Sequence, residues 1–419
     1  MKTYDVIVAG GGLTGVAAAV AAARRGCSVL LVEQSGCLGG AMSNCLIYPF
    51  MQFWTEVNGK VKLLSDGLFT EMRQRLSAYQ EPERLGDFSG ECFKFVLDDM
   101  TSEAGVEVLY HATLFGVKTD GRRVTALRLA TKAGEQDVEG RCFVDATGDG
   151  DLFAFAGCDF QLGRPKDSLS QPMTTCFRMA NVDMRYWGGP HNAELEGAYR
   201  RWQQEGRILN PREDVLTFTG RGVGKGVIHF NTTRIVKHNP TDPLSLSQAE
   251  TLARKQIWEM VRFLRETNPD AFRDACLVNT AISIGVRESR KLKGDYILTA
   301  DDLVACRKFD DSIALGNYDI DIHNPEGSGT SHYYFKPGQY YTIPYRSLVA
   351  SEFDNLLVGG RCISATHEAQ ASIRIMPICA TTGEAAGVAA AVVCKSGATT
   401  HNVDVAAIQQ LLRAEGAAL

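Results

Sequence analysis

A chain of 419 residues with a formal net charge of -5, an isoelectric point near 6.0, 45% hydrophobic and 22% charged residues is too long for one hydrophobic core and suits two or three structural units. With no block of like charge, it offers no electrostatic basis for binding nucleic acid or an anionic membrane, although this balance says nothing about a small substrate. Its twelve cysteines are scattered without a CxxC pair, so neither an iron–sulfur cluster nor a structural zinc is expected, no metal is assigned, and reduced thiols in a cytoplasmic setting are the expectation.

The run from Val6 to Ala23 contains no charged residue, follows Lys2 and ends in alanines, as a signal peptide does. Asp5 at its mouth and Gly10, Gly11, Gly12 and Gly15 within it suit a buried strand, a tight turn and a buried helix instead. No other stretch reads as long and apolar enough to span a bilayer. Residues 4–9 are β-branched and apolar like a central parallel strand, residues 13–25 form an alanine-rich helix closed by Gly26, and Ser28 to Val32 is a second strand ending at Glu33. Together they make one βαβ unit. Residues 36–60 are irregular around Gly36, Gly39 and Gly40, followed by expected helices at 65–80 and 91–104. Val106–Tyr110 and 113–130 read as strands with a hairpin at Asp120-Gly121, and Cys142–Asp145 as a buried strand running into Ala146-Thr147-Gly148-Asp149-Gly150-Asp151. Beyond residue 160 come short strands, a helix near 247–266 and loops rich in Pro, Asn, His and Tyr. From Leu356 the strand-and-glycine-turn pattern returns in Asn355–Arg361, before a long helix over 374–395.

Gly10-Gly11-Gly12-Leu13-Thr14-Gly15 fits GxGxxG, and each glycine has its own task. Gly10 permits the turn out of the strand, Gly12 leaves the backbone open to a pyrophosphate, and Gly15 lets the helix pack closely. The helix start through Leu13 and Thr14 presents free N–H groups to phosphate. Glu33, at the end of the next strand, can accept both hydroxyls of an adenosine ribose, so the three features together predict a dinucleotide site. The expected fold class is α/β: a Rossmann-like FAD/NAD(P)-binding fold with an inserted α+β substrate or cap domain. Its domains are residues 1–160, the insert 161–340, and the returning part 341–419.

The later segments decide between the dinucleotides. Val144–Asp151 and Asn355–Arg361 resemble the second and third FAD segments of two-dinucleotide-binding flavoproteins. With Gly36–Gly40 and the terminal helix, the chain resembles the FAD-dependent oxidoreductase family near the fumarate reductase and succinate dehydrogenase flavoproteins. It is most similar to the branch that includes the flavin part of the heterodisulfide reductases. Gly285–Arg290, Ile343–Leu348 and Gly383-Glu384-Ala385-Ala386-Gly387 look like that branch too. The resemblance implies FAD, held non-covalently beside an inert Cys45. Gly10, Gly12 and Gly15 would face the pyrophosphate, with Glu33 and Gln34 at the ribose. Gly39 and Gly40 would lie near the flavin side, and backbone near Leu114 at the adenine. Asp145, Ala146, Thr147 and Gly148 would close over the nucleotide, Gly360 and Arg361 would lie along the ribityl chain, and the helix beginning near Arg374 would point its N-terminus at the flavin. Many relatives carry an acid where Arg361 stands, and no iron–sulfur cysteines match those of the heterodisulfide reductases. Fumarate reductases carry an arginine on a glycine-rich stretch before the last helix; Ser372-Ile373-Arg374-Ile375 offers Arg374 without those glycines.

Gly220–Gly226 fails the phosphate-loop spacing, and no second GxGxxG–acid unit occurs, so a pyridine nucleotide has no domain of its own. Candidate catalytic groups fall where the insert returns to the flavin domain: Arg287, Arg290, His323, His332, Arg346, His367 and Arg374. Histidine can exchange a proton near neutral pH, and arginine can fork onto a carboxylate. Arg287, His323, His332, Arg346 and Arg374 are the expected catalytic set. The expected reaction is hydride transfer between flavin N5 and a small anionic or polyhydroxylated metabolite, in either direction. The alternative is an electron-transfer flavoprotein serving a partner protein, against which the missing cysteine clusters and the polar insert count.

Overall fold

The computed structural model describes residues 3–80, 82, 84–188 and 190–419. Strand β1 (Thr3–Ala9) is buried over its last four residues and pairs in parallel with β2 (Val29–Val32) and with the C-terminal half of the long strand Gly134–Asp145. Both flanks of β1 are covered, which explains its unbroken apolar run. Helix α1 (Leu13–Ala23) makes the crossover between β1 and β2. The sheet runs in the order Glu107–Leu109, β2, β1, Gly134–Asp145, Arg123–Thr131, Thr113–Asp120, and Leu356–Val358 adds in parallel beside Phe143–Asp145. The last part of the chain thus returns to the first sheet.

Helix Met376–Ser396 lies against α1 where side chains are smallest. A Cβ on Gly383 would stand 2.2 Å from the Thr14 carbonyl oxygen, and one on Gly387 2.1 Å from that of Ala18. Contrary to the sequence expectation, this 21-residue helix is long and apolar enough to span a bilayer, but 94% of its apolar window is buried in the protein. It is the central core helix. The helix expected over 374–395 is Met376–Ser396; a separate short helix, His367–Ile373, precedes it and ends at Arg374, and extended Ile375 leads into Met376 with Pro377 in the first turn. Proline has no N–H to continue the preceding helix and suits the first turn of a new one. The helix expected over 65–80 is confined to Leu68–Leu76, starting after Gly67 at φ 73°.

A second core belongs to a four-stranded antiparallel sheet in the order Thr217–Phe218, Ile228–Phe230, Phe177–Ala180, Cys276–Thr280. Phe177, Met179, Ile228 and Phe230 pack on one face against helices Pro190–Gln204 and Pro243–Thr267. Within the span 161–340, a smaller separate cluster forms from Met173, Ile235, Ala249, Ala253 and Ile284. Leu292, Leu298, Leu303, Ile313 and Ile320 pack instead with the first sheet and its helices.

Candidate active site and dinucleotide cradle

Gly10 and Gly15 each have a steric reason in the turn after β1. Gly10 holds φ +100°, and a Cβ there would lie 2.4 Å from the Ala146 carbonyl oxygen. At Gly15 a Cβ would lie 1.7 Å from the Gly10 oxygen, so only glycine lets α1 sit so close to the strand end. Gly12 is different: a Cβ there meets nothing nearer than Gly40 Cα at 3.9 Å. Gly12 is the N-cap of α1 and no side chain caps that helix, which leaves open space in front of first-turn N–H groups. That is the cradle a pyrophosphate needs. Gly39 donates its N–H to the Gly11 oxygen at 2.9 Å, bringing the Gly39–Gly40 loop against this turn.

Glu33 is buried at the end of β2. Its Oε2 accepts the Gly11 N–H and its Oε1 the Ser35 N–H, each at 2.7 Å. Gln34 is exposed. The chain returns beside them at His111 and Ala112, whose N–H groups bond the Ser35 and Glu33 oxygens at 3.2 and 3.1 Å, two residues before Leu114. Asp145 is fully buried and accepts the Thr147 N–H, the Thr147 hydroxyl and the Phe153 N–H, which shapes the turn through Ala146 and Gly148. Burial pushes its carboxyl up to about 6. Arg361 reaches over Gly148 to Asp149 at 2.7 Å and the Ser289 hydroxyl at 3.2 Å, and Arg290 binds Asp151 at 2.8 Å. At Gly360, φ is +77° and a Cβ would lie 2.5 Å from Thr14 Oγ1. Of the residues expected at the cofactor, Gly10, Gly12, Leu13, Thr14, Gly15, Glu33, Gly39, Gly40, Ala146 and Gly360 meet around the start of α1. Cys45 is half-buried with its thiol against the Ile284 oxygen, and desolvation pushes that thiol up to about 12.

Arg374 belongs to a second cluster, centred on Asp321. Its Oδ2 receives the Tyr318 hydroxyl at 2.9 Å, Arg374 Nη2 at 2.9 Å and His323 Nε2 at 3.2 Å. Burial opposes ionisation of Asp321, but the hydrogen bond from His323 and the Arg374 charge outweigh it and hold the carboxyl far below the usual range. Burial, then the Arg287 charge, push His323 down to about 3, so the imidazole is neutral. Its other nitrogen, Nδ1, is 3.2 Å from the Thr330 hydroxyl, and its backbone N–H donates to Gln171 Oε1 at 3.2 Å. Arg287 donates to the Pro172 oxygen at 2.6 Å and lies within ion-pair distance of no carboxylate among the described residues; burial, with Arg374 and Arg212 nearby, pushes it down to about 9. His332 sits at the outer side, 2.5 Å from Asp319 and 3.8 Å from Asp321 Oδ1. Asp319, Asp321 and His332 are close enough to share a cation, but Arg374 already neutralises Asp321.

The cluster gathers Arg287, His323, His332 and Arg374, and corrects the place of two other candidates. Arg346 binds Asp311 at 2.9 Å in a half-exposed position beside the Tyr296 ring, because its short helical turn faces outward. His367 is buried against Glu288 at 2.8 Å, and Glu288 also binds Lys291 at 2.5 Å and the Gln171 N–H at 3.0 Å, so all three charged or polar ends are satisfied within the fold. Arg212 and Arg234, paired with Asp214 and Glu213, escaped the sequence reading although both act on Arg287. They sit in irregular segments with no periodic signal. Asp321 had a signal, its alternation with His323 in Asp321-Ile322-His323.

Comparison with known proteins follows the same lines. Residues 5–412 match the model of the FAD dependent oxidoreductase family. No curated protein sequence matches the chain. Among solved structures, a flavin-dependent brominase is similar at 13% identity and TM-score 0.48, covering 99% of this chain and 83% of that one. A p-nitrophenol 4-monooxygenase from Pseudomonas putida is similar at 11% identity and TM-score 0.47, covering 96% and 82%. A geranylgeranyl bacteriochlorophyll reductase-like protein from Thermoplasma acidophilum is similar at 12% identity and TM-score 0.46, covering 99% and 83%. With a family match over nearly its whole length, the chain belongs to the FAD-dependent oxidoreductases, an enzyme family whose cofactor is FAD.

Proposed function

We propose that this enzyme moves a hydride between bound FAD and a small polar metabolite that is anionic or polyhydroxylated, with Arg287 and Arg374 holding the substrate and His323 exchanging its proton. The observation that carries this reading is Arg287: a half-buried guanidinium with no carboxylate partner among the described residues, beside a neutral imidazole and an arginine–aspartate pair. An unpaired buried charge is costly, and a substrate anion would relieve it. FAD, when bound, supplies a hydride acceptor or donor at N5. Gly10, Gly12, Leu13, Thr14, Gly15, Glu33, Gly39, Gly40, Ala146–Gly148, Gly360 and Arg361 would hold it, with no covalent link to the inert Cys45 thiol.

His323 as it stands favours the role of base. With Nε2–H donating to Asp321, the neutral ring's free Nδ1, beside the Thr330 hydroxyl, can take the proton of a hydroxyl or amine, as dehydrogenation requires, while Asp321 orients the ring and stabilises the imidazolium that forms. Arg374 keeps Asp321 ionised for that purpose. His332, bonded to Asp319, is the reserve. We place the substrate lobe at 161–340, between the flavin-binding parts 1–160 and 341–419. Kinship with fumarate reductase and heterodisulfide reductase flavoproteins rests on the motifs quoted above. The test is rapid mixing of the FAD-loaded enzyme with a panel of organic acids and polyols, following the oxidised flavin band at about 450 nm. Bleaching by a hydroxyl-bearing compound supports the proposal; a holoenzyme inert to the whole panel but reduced by a partner protein would replace it with the electron-transfer reading.

A further inference from the structure

The four-stranded sheet has one face packed on its helices and another turned toward Tyr48, and the second face carries polar side chains that nothing among the described residues satisfies. Arg178 stands at the centre of a cross-strand row, opposite His229 on one neighbour and Asn279 on the other. Arg178 Nε, both ring nitrogens of His229 and Asn279 Oδ1 are buried without a hydrogen-bond partner. Arg178 makes no ion pair among the described residues, and Glu91 acts on it only from a longer range. His229 is sealed at the inner end, flanked by Tyr48 and Phe218 at ring distances of 5.5 and 6.2 Å. Burial, then Arg178, keep it neutral. Arg178 and Asn279 remain partly accessible, so the row opens at their end.

Such a row weakens the fold. A sheet face packed against aromatic rings would be more stable with apolar residues, because each buried donor or acceptor left alone keeps its desolvation cost, and a lone guanidinium keeps more. The row also lies on one ladder with the cluster described above: the strand that carries Arg178 pairs with Cys276–Thr280, and its N-terminal extension bridges Thr174 to Gly285, two residues before Arg287.

We propose that Arg178 and Asn279 form a second anchoring point for the substrate, separate from Arg287, and that the group they receive is a carboxylate. The guanidinium fork matches a carboxylate, and the Asn279 oxygen can accept a hydroxyl beside it. The inference rests on the hydride-transfer reading for its substrate, and narrows that substrate from an anion or a polyol to a small carboxylic acid. Neutral His229 behind the fork adds no second charge and leaves the guanidinium free for the ligand.

The experiment is calorimetric titration of FAD-loaded protein with succinate, malate and sorbitol, beside thermal melts of the wild type, R178M and R178K. At least one acid should bind the wild type and sorbitol should not. R178M should lose acid affinity by about 30-fold, the scale of a hydrogen bond to a charged group. It should melt no lower than the wild type, because an unpaired buried charge has been removed. R178K should retain part of the affinity. Unchanged affinity in R178M, binding of sorbitol alone, failure of both acids on the wild type, or a clearly lower melting temperature in R178M would each overturn the proposal. Flavin content is read separately, so acid binding that depends on Arg178 in an enzyme whose flavin no acid or polyol reduces would remove the hydride-transfer reading and leave the subsite.

Discussion

Replacing Glu384 by glutamine should stabilise the protein, and increasingly so as pH rises. Glu384 lies on the central helix, 1% exposed; its Oε2 accepts the first N–H of helix Leu68–Leu76 at 3.0 Å, and its Oε1 has no partner. Burial pushes the carboxyl from 4.5 up to about 8. The folded value lies above the unfolded one, so folding takes up a proton between those pH values. The favourable contribution is complete below about 4.5 and is lost as pH rises through about 8. At about 1.4 kcal/mol per pH unit, the ceiling is roughly 5 kcal/mol, of which roughly 3 kcal/mol is already lost at pH 7. Glutamine keeps the acceptor for Leu68 and stays neutral throughout. The advantage of E384Q over the wild type, measured by denaturant unfolding at fixed FAD loading, should therefore grow by roughly 2–3 kcal/mol between pH 5 and pH 8, allowing for local relaxation around the ionised group. A difference that is the same at both pH values, or that shrinks as pH rises, would refute the argument that burial governs this carboxyl.

Other outcomes follow from the two clusters. Gly12→Val fills the open space before α1 and should abolish FAD binding with the fold intact, seen as colourless protein with an ordinary melt; normal flavin content would contradict the cradle. Glu33→Ala should weaken FAD binding by roughly 1.5–3 kcal/mol in a fluorescence titration, the scale of hydrogen bonds to a charged group. His323→Ala should slow flavin reduction by substrate about 100-fold with FAD affinity unchanged, and wild-type rates in rapid mixing would remove it from the chemistry. Arg374→Lys should lower activity although charge is kept, because Asp321 loses its guanidinium partner, whereas Arg346→Ala, at a surface pair with Asp311, should leave steady-state kinetics unaltered.

The βαβ unit and the individual tasks of Gly10, Gly12 and Gly15 were legible in the sequence, because they concern backbone conformation and close approach within about thirty consecutive residues. The return of the chain after Leu356 was legible for the same reason, as a strand leading into a glycine turn. Periodicity told which side chains are buried but not what they are buried against. Only the tertiary structure brought Arg212, Arg234 and Asp321 to Arg287 and Arg374, and sent Arg346 to Asp311 and His367 to Glu288. It also set a short helix, His367–Ile373, before the expected one, which Pro377 opens, and turned that span-length apolar helix into the pillar beside α1. It left Arg178, His229 and Asn279 together on one sheet face without partners. An arginine has the same local signature whether its partner is an aspartate across the fold or a ligand. Which of the two it meets depends on strand register and loop paths between residues far apart in the chain, and those are settled only when the two cores pack.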